Sequence, residues 1–397
     1  MNYITEKEKK ISVLDSCDVF VAGGGIAGVS AALAAARNGA KVILAEKQCI
    51  LGGLATAGII TFYLPICDGN GKQVEYGIAE ELLRLSIAYG ADDLYPKAWL
   101  EDGSMEERAK NRFKTRFNPS VFALDMERIL VEAGVKILYD TRICDVFVED
   151  KSIKSIIVEN KTGRCAYSVK SVVDATGDAD IAKFAGAETS VYERQNVLAA
   201  WNYYHANGKV NLRLLGAADV THGDMTKVDP LSDMKFSGID GEENSKMLIL
   251  SHKKIMENFV ENRSKDPEYA LNIIPTMPQL RMTRCLIGDY KLDEADKHKE
   301  FEDSVGLISN WRKPGPIYEI PLRSLYSKDI KNLISAGRCI STTDEMWNIT
   351  RVIPSCAVTG QAAGTAAAMS SDFRNMDIKT LQKKLRDANV RLHEKEL

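Results

Sequence analysis

Residues 19–47 read VFVAGGGIAGVSAALAAARNGAKVILAEK, and no other stretch constrains the fold of this chain as strongly. Three consecutive glycines are costly to order, and a plain core gains nothing from them. Residues 19–22 form a short apolar run of the kind that makes a buried parallel strand. Gly23, Gly25 and Gly28 then fit G-x-G-x-x-G. Residues 30–38, rich in alanine and leucine and free of breakers, predict a helix. Gly39 stands where a left-handed helix end takes glycine. Residues 41–45 predict a second strand, closed by Glu46, which lies 18 residues past Gly28. In such a unit Gly23 makes the tight turn, Gly25 admits a pyrophosphate to the backbone, and Gly28 lets helix and strand pack closely. The helix N-terminus meets the negative charge. Glu46 takes the adenosine ribose hydroxyls, which favours an unphosphorylated 2′ position. The segment predicts a site for the ADP half of a dinucleotide without saying which one.

A chain of 397 residues has material for two or three domains, and 45% hydrophobic with 27% charged residues is ordinary globular composition. A net charge of −3 implies no affinity for nucleic acid or for a membrane surface. The opening MNYITEKEKKISVLDS has no apolar stretch of the secretory type, and no run of about 18 apolar residues follows elsewhere. A cytoplasmic location, away from membranes, is therefore expected. The eight cysteines are scattered, with neither C-x-x-C pairs nor a histidine cluster beside them. That spacing predicts no metal site and no disulfide framework.

The rest of the chain bears on which dinucleotide is bound. KQCILGGLATAG follows Glu46, with Gly52, Gly53 and Gly58 and almost no bulk. A small-residue loop there suits a backbone lying along a cofactor longer than NAD. Residues 118–133 predict a helix with Leu124, Met126, Ile129 and Leu130 as its apolar face, and 135–138 a strand. Three short strands, 143–149, 153–160 and 164–169, are joined by the turn sequences DKS and KTG. SVVDATGDADIA then returns as a buried strand, a second small turn and a helix. This strand–meander–strand crossover fits a flavin domain better than an NAD domain. Residues 332–369 predict a strand ending at 336–337, a polar loop, and from Pro354 a helix of very small residues. The positive end of that helix suits a flat ring whose reduced form carries charge near N1 and O2.

GGGIAG, LGGLATAG, DATGDAD, RMTRCLIGDYKL and AGRCIST…RVIPSCAVTGQAAGTAAA occur in this order between Cys17 and Met369. Together they resemble the FAD-dependent oxidoreductases related to fumarate reductase and succinate dehydrogenase flavoproteins, more narrowly a bacterial branch marked by GGLAT and TGQAAG. The resemblance implies non-covalent FAD bound across six segments and one isolated residue. The first segment holds Gly23, Gly25, Ile26, Ala27 and Gly28, and the second Glu46 and Lys47. Gly53, Leu54, Ala55 and Thr56 follow, then Ile143, then Ala175, Thr176, Gly177 and Asp178. Gly337 with Arg338, and Gly360, Gln361 and Ala362, complete the set. Relatives with covalent flavin carry a histidine after the first acid, and none stands between Glu46 and Gly58 here. Two departures fall near the expected substrate position: Asp344 where members often have histidine, and Arg312–Lys313 where they often have Asp-x-His. The substrate is expected to differ from theirs.

Within RMTRCLIGDYKL, Arg281 and Arg284 share a face if helical and separate if extended. They either clamp a substrate carboxylate or carbonyl, or form salt bridges at a domain junction; Arg351 carries the same alternatives. AAWNYYH at 199–205 either walls a pocket, with His205 as acid or base, or is a half-buried strand with a satisfied histidine. RAKNRFKTR at 108–116 sits among acidic neighbours and reads as a solvated loop.

The expected fold is α/β. A Rossmann-like FAD-binding domain, with a parallel sheet and an antiparallel meander crossover, comprises 1–60, 117–190 and 320–397. A second α+β substrate-capping domain comprises 191–319, with 61–116 as an insertion contacting it. The expected activity is hydride transfer between a small-molecule substrate and flavin N5, with catalytic positions at Arg281, Arg284 and Arg351. The alternatives are an NAD-dependent dehydrogenase and a protein whose FAD is structural.

Overall fold

A computed structural model of the chain describes residues 4–5, 8–89, 98, 103–110, 115–216 and 230–397; residues 111–114 of the basic stretch lie outside them. A seven-stranded sheet organises the fold. The first βαβ unit is β1 (Ser12–Ala22), α1 (Ile26–Arg37) and β2 (Val42–Ala45). Helix α2 (Pro119–Glu132) leads to β3 (Lys136–Leu138), which is followed by β4 (Arg142–Glu149), β5 (Ser152–Asn160) and β6 (Gly163–Asp174). The hydrogen-bonded order is β3-β2-β1-β6-β5-β4. β3, β2, β1 and β6 run parallel, whereas β4, β5 and β6 form the antiparallel meander.

Two expected strands are one. Residues 164–169 and the strand after them form the single twelve-residue β6, because β1 pairs along its length from Cys165 to Asp174 and no turn residue interrupts it. The other edge of β6 changes partner midway. Its first half pairs with β5, while Val172–Asp174 pair with β7 (Leu333–Ser335), parallel. Asn332 fills the junction: its side chain accepts from Ile153 N (2.8 Å) and donates to the Ile153 and Lys170 carbonyls. The backbone groups orphaned by the change are thereby satisfied. Helix α1 begins at Ile26, four residues before its expected start, with Gly25 as N-cap.

Side chains alternate across β1. Val19 and Val21 enter one core layer, Phe20 and Ala22 the other, and this half of the strand is buried on both faces. In the first layer α1 meets α5 (Ile353–Met369), which follows the short helix α4 (Asp344–Thr350) formed within the expected polar loop. A Cβ on Gly360 would overlap the Ala27 carbonyl, and one on Gly364 the Ala31 carbonyl. Residues four apart share a helix face, so the two helices touch backbone to backbone over one turn.

Among the described residues between Thr189 and Leu286 lie three small antiparallel sheets: Asn202–Ala206 with Lys209–Arg213 and Ala270–Ile273, Thr189–Val191 with Arg284–Leu286, and Asn196–Val197 with Lys235–Phe236. A long helix, α3 (Gly241–Lys265), is capped by Asp240, whose side chain accepts from Glu243 N. Leu198, Phe236, Met247 and Leu280 form a separate small core there. The hairpin Ser304–Ser309/Ile317–Pro321 instead sends Val305, Ile308, Tyr318 and Ile320 into the layer shared by α1 and α5. Helix Ile78–Ser86 adds Ile78, Ala79, Leu82 and Leu83 to the same layer.

Glu75 fastens that hairpin from beneath. Its buried carboxyl accepts from Ser309 N (2.7 Å) and Ser309 Oγ (3.0 Å). Burial, with Asp68 adding to it, pushes the group from 4.5 up to about 8. Between those values the folded chain binds more protons than the unfolded one, so stability from this group is lost as pH rises. Thermal denaturation of Glu75→Gln should therefore gain on the wild type between about pH 5 and pH 8. A constant difference across that range would show that Glu75 does not titrate there. For the helix crossing, Gly364→Ala is expected to cost about 2 kcal/mol in urea unfolding. Gly241→Ala, whose Cβ meets nothing within 4 Å, should stay within about 1 kcal/mol of the parent.

Candidate active site

Strands β1, β2, β6 and β7 end on one side of the sheet. The residues just past those ends, Gly23, Glu46, Ala175 and Ala336, line a single cavity of about 410 Å³. Ligands of open α/β sheets sit outside the carboxyl ends of the strands.

The three motif glycines divide the work. Gly23 has φ +99°, and a Cβ there would stand 2.6 Å from the Ala175 carbonyl oxygen. A Cβ on Gly28 would overlap the Gly23 carbonyl. Gly25 is different: a Cβ there meets nothing within 4 Å, and the residue lines the cavity. Gly23 and Gly28 are therefore required by the chain itself, and Gly25 keeps open a space outside it. The first-turn N–H groups of α1, next to the lining residues Ile26 and Ala27, have no intrahelical acceptor, and no side chain caps them. Such an end attracts anions.

Glu46 is buried at the end of β2. One carboxylate oxygen accepts from Gly24 N (2.6 Å), the other from Gln48 N (2.8 Å). It thus braces the glycine turn, and of a carboxylate's roughly four acceptor positions about two stay open for hydroxyls. Lys47, Ile143, Gly53, Leu54 and Ala55 also line the cavity. Thr56 does not; its hydroxyl donates to the Leu51 carbonyl and closes the loop behind them.

The second turn hangs on Asp174, whose carboxyl is fully buried and pushed up to about 6 by desolvation. It accepts from Thr176 N (3.2 Å), Thr176 Oγ1 (2.7 Å) and Ala182 N (3.0 Å). Ala175, Thr176, Gly177 and Asp178 are thereby presented to the cavity. Arg338 joins them in the lining with its guanidinium engaged: it donates to the Gly177 carbonyl (2.7 Å), Asp178 Oδ1 (2.7 Å) and the Leu280 carbonyl (3.0 Å).

Gly337, Gly360, Gln361 and Ala362 lie behind the cavity, and so does Gly28. Helix α5 starts at Ile353, so the end that lines the cavity is Val352, Ile353 and Cys356, and Gly360 comes about two turns later against α1. Gln361 accepts from Ile78 N (2.8 Å), and Gly337 N donates to Thr359 Oγ1 (2.9 Å). Gly360 thus belongs to the helix crossing, and Gln361 ties α5 to the helix Ile78–Ser86. Like α1, α5 has no side-chain cap, and Pro354 stands in its first turn. Two helix N-termini thus open on one cavity.

Of the three arginines, the cavity brings together Arg281 and Arg351 but not Arg284. Arg284 opens a strand and turns to the Asp178 carbonyl (2.8 Å) and Asp180 Oδ1 (2.6 Å), forming the salt bridge weighed above. Arg281 is 5% exposed; its backbone N–H donates to Asn196 (2.8 Å) and its guanidinium lies 5.3 Å from the Trp201 ring centre. Arg351 Nη2 donates to Asn348 Oδ1 (3.2 Å). Trp201 is the cavity-lining member of AAWNYYH; His205 sits further along the strand, outside the lining, as does Asp344 in the first turn of α4. Sequence reasoning did not reach Ile60, Phe62, Leu64, Leu214 and Met277, which complete an apolar wall. They come from separate segments without a shared motif, so no local signal marks them. Among the described residues no cluster of ligands could hold a metal ion, and no helix is long and apolar enough to cross a membrane.

The sequence matches the family model for FAD dependent oxidoreductases at residues 18–198 and 193–385. The chain belongs to that family, and FAD is its cofactor. It is 38% identical to thioredoxin reductase of Ureaplasma parvum over 78 residues, 19% of this chain and 25% of that protein. It is 23% identical to digeranylgeranylglycerophospholipid reductase of Thermoplasma volcanium over 259 residues, 63% of this chain and 62% of that protein. The chain thus spans less than two thirds of either curated relative. A flavocytochrome c3 fumarate reductase in its open conformation superposes with TM-score 0.42 at 16% identity, covering 90% of this chain and 79% of that one.

The residues present fit FAD. Gly25 leaves its backbone bare toward the cavity, Glu46 stands at the ribose position of the motif, and both helix termini face the same space. For Arg284 the geometry predicts a structural contribution. Arg284→Ala should lower stability by about 1–3 kcal/mol while leaving the rise in Tm on adding FAD intact. A lost FAD-dependent rise would return Arg284 to the site.

Proposed function

We propose that this cavity holds FAD along its length and that the protein transfers hydride between a small organic substrate and flavin N5. The observation that carries the reading is the pair of uncapped helix N-termini opening on one cavity. The α1 end and the bare backbone at Gly25 receive the pyrophosphate. Glu46 accepts the ribose hydroxyls. The α5 end, at Val352 and Ile353, faces the negative charge that reduction places on the ring. Bound there, FAD supplies two-electron redox chemistry at N5.

Arg281 and Arg351 orient the substrate through its oxygen atoms, because guanidinium forks match a carboxylate or carbonyl. The apolar wall excludes water from the same end. Dehydrogenation of a C–H bond and reduction of an activated double bond place the same demands on these residues. Membership of the branch marked by GGLAT and TGQAAG belongs to this reading and rests on motif resemblance. So does the division of labour, in which 1–60, 117–190 and 320–397 carry the cofactor while 191–319 cover it. The hairpin within 304–321 is the exception, since its core residues serve the cofactor side.

Purified protein should be yellow and release FAD on denaturation; a colourless preparation that stays so after reconstitution would overturn the reading. Gly25→Val should keep its fold by circular dichroism and lose flavin. Glu46→Ala should weaken flavin retention about tenfold or more, read as FAD per chain after gel filtration. Wild-type occupancy in both variants would move the ADP half elsewhere.

A further inference from the structure

The far end of the cavity is built from two arginine–tryptophan pairs. Arg281 stands 5.3 Å from the ring centre of Trp201, and Phe62 meets the same indole edge-on at 6.0 Å. Arg351 and Trp311 share Asn348, whose side-chain oxygen accepts from Arg351 (3.2 Å) and whose backbone oxygen accepts from Trp311 Nε1 (2.9 Å). Leu64, Leu214 and Met277 line the same cavity. The three carboxylates of the lining are held elsewhere: Glu46 by Gly24 and Gln48, Asp178 by Arg338, Asp180 by Arg284. No histidine or tyrosine is among the described lining residues. Recognition at this end therefore falls to aromatic rings and guanidinium groups.

These groups select different parts of a ligand. Indole and phenyl rings favour a flat apolar body, in offset or edge-to-face contact. Guanidinium favours a planar oxyanion. A four-carbon dicarboxylate has no apolar surface to cover three aromatic side chains, and a second carboxylate set against Leu64, Leu214 and Met277 would lose its hydration. We infer that the substrate is an aryl or aryl-conjugated monocarboxylate, its ring against Trp201, Phe62 and Trp311 and its carboxylate toward Arg281 or Arg351. The inference rests on the cavity being the FAD and substrate site proposed above.

The test uses the FAD-loaded enzyme and four probes: trans-cinnamate, its neutral amide cinnamide, fumarate and decanoate. Perturbation of the flavin absorption band is followed on titration, with calorimetry as a second readout. Cinnamate is expected to bind at least about tenfold more tightly than each of the others. Arg351→Met and Trp311→Ala should each weaken cinnamate about tenfold with FAD content unchanged. Equal binding of cinnamide removes the charge from the inference and overturns it. Equal or tighter binding of fumarate or decanoate overturns it in favour of a dicarboxylate or a flexible chain. Saturable binding of none of the four, or unchanged cinnamate affinity in both variants, overturns it as well. All these outcomes leave a yellow, FAD-retaining protein and so leave the functional reading standing; wild type that cannot hold flavin overturns both.

Discussion

Helices α1 and α5 cross with their backbones in contact, and the rest of the site depends on that contact. Gly360 and Gly364 stand against the carbonyls of Ala27 and Ala31, where any side chain would overlap. Because the helices approach so closely, both N-termini come out at the same end of the sheet. One terminus belongs to the first βαβ unit and the other to a segment more than 300 residues later. Small residues along α5 leave nothing else to pack, and its first 15 positions are almost wholly buried. Two partial positive charges facing one cavity suit an elongated anionic cofactor.

Around this axis the chain commits its polar groups before a ligand arrives. Glu46, Asp174 and Arg338 each brace a turn: Glu46 the glycine loop, Asp174 the Ala175–Asp178 turn, and Arg338 the contact between that turn and the Leu280 carbonyl. Buried carboxylates are stable only with such partners, and the pairing stiffens the walls. The chemistry of the cavity is consequently uneven. The end under β2 offers bare backbone, an acid and a helix terminus. The end under α4 offers indoles, aliphatic side chains and two arginines.

Much of the first end was legible in the sequence. Gly23, Gly25, Gly28 and Glu46 follow from a spacing that local geometry imposes, since a strand, a tight turn and a helix determine where each residue stands. The helix from Pro354 was legible for a similar reason, as a continuous run of very small residues. Helix α1 began earlier than composition indicated, because Gly25 serves as the cap and the residues after it are helical despite the glycine at 28. Residues 164–174 read as two strands, yet β1 pairs with both halves and makes them one, and pairing partners are not a local property.

The linear order of residues determined, alone, the βαβ unit, the glycine turn and the acid at the end of the second strand, because these depend on neighbours within one continuous segment. Only the tertiary structure decided that Gly360, Gln361 and Ala362 stand outside the cavity lining, while Val352, Ile353 and Cys356 face the cavity. It likewise separated Arg281 from Arg284 and drew Phe62, Trp201 and Trp311 to one cavity. Such assignments depend on which distant surfaces come together, and burial of apolar area across the whole chain settles that, with no preference local to any one segment.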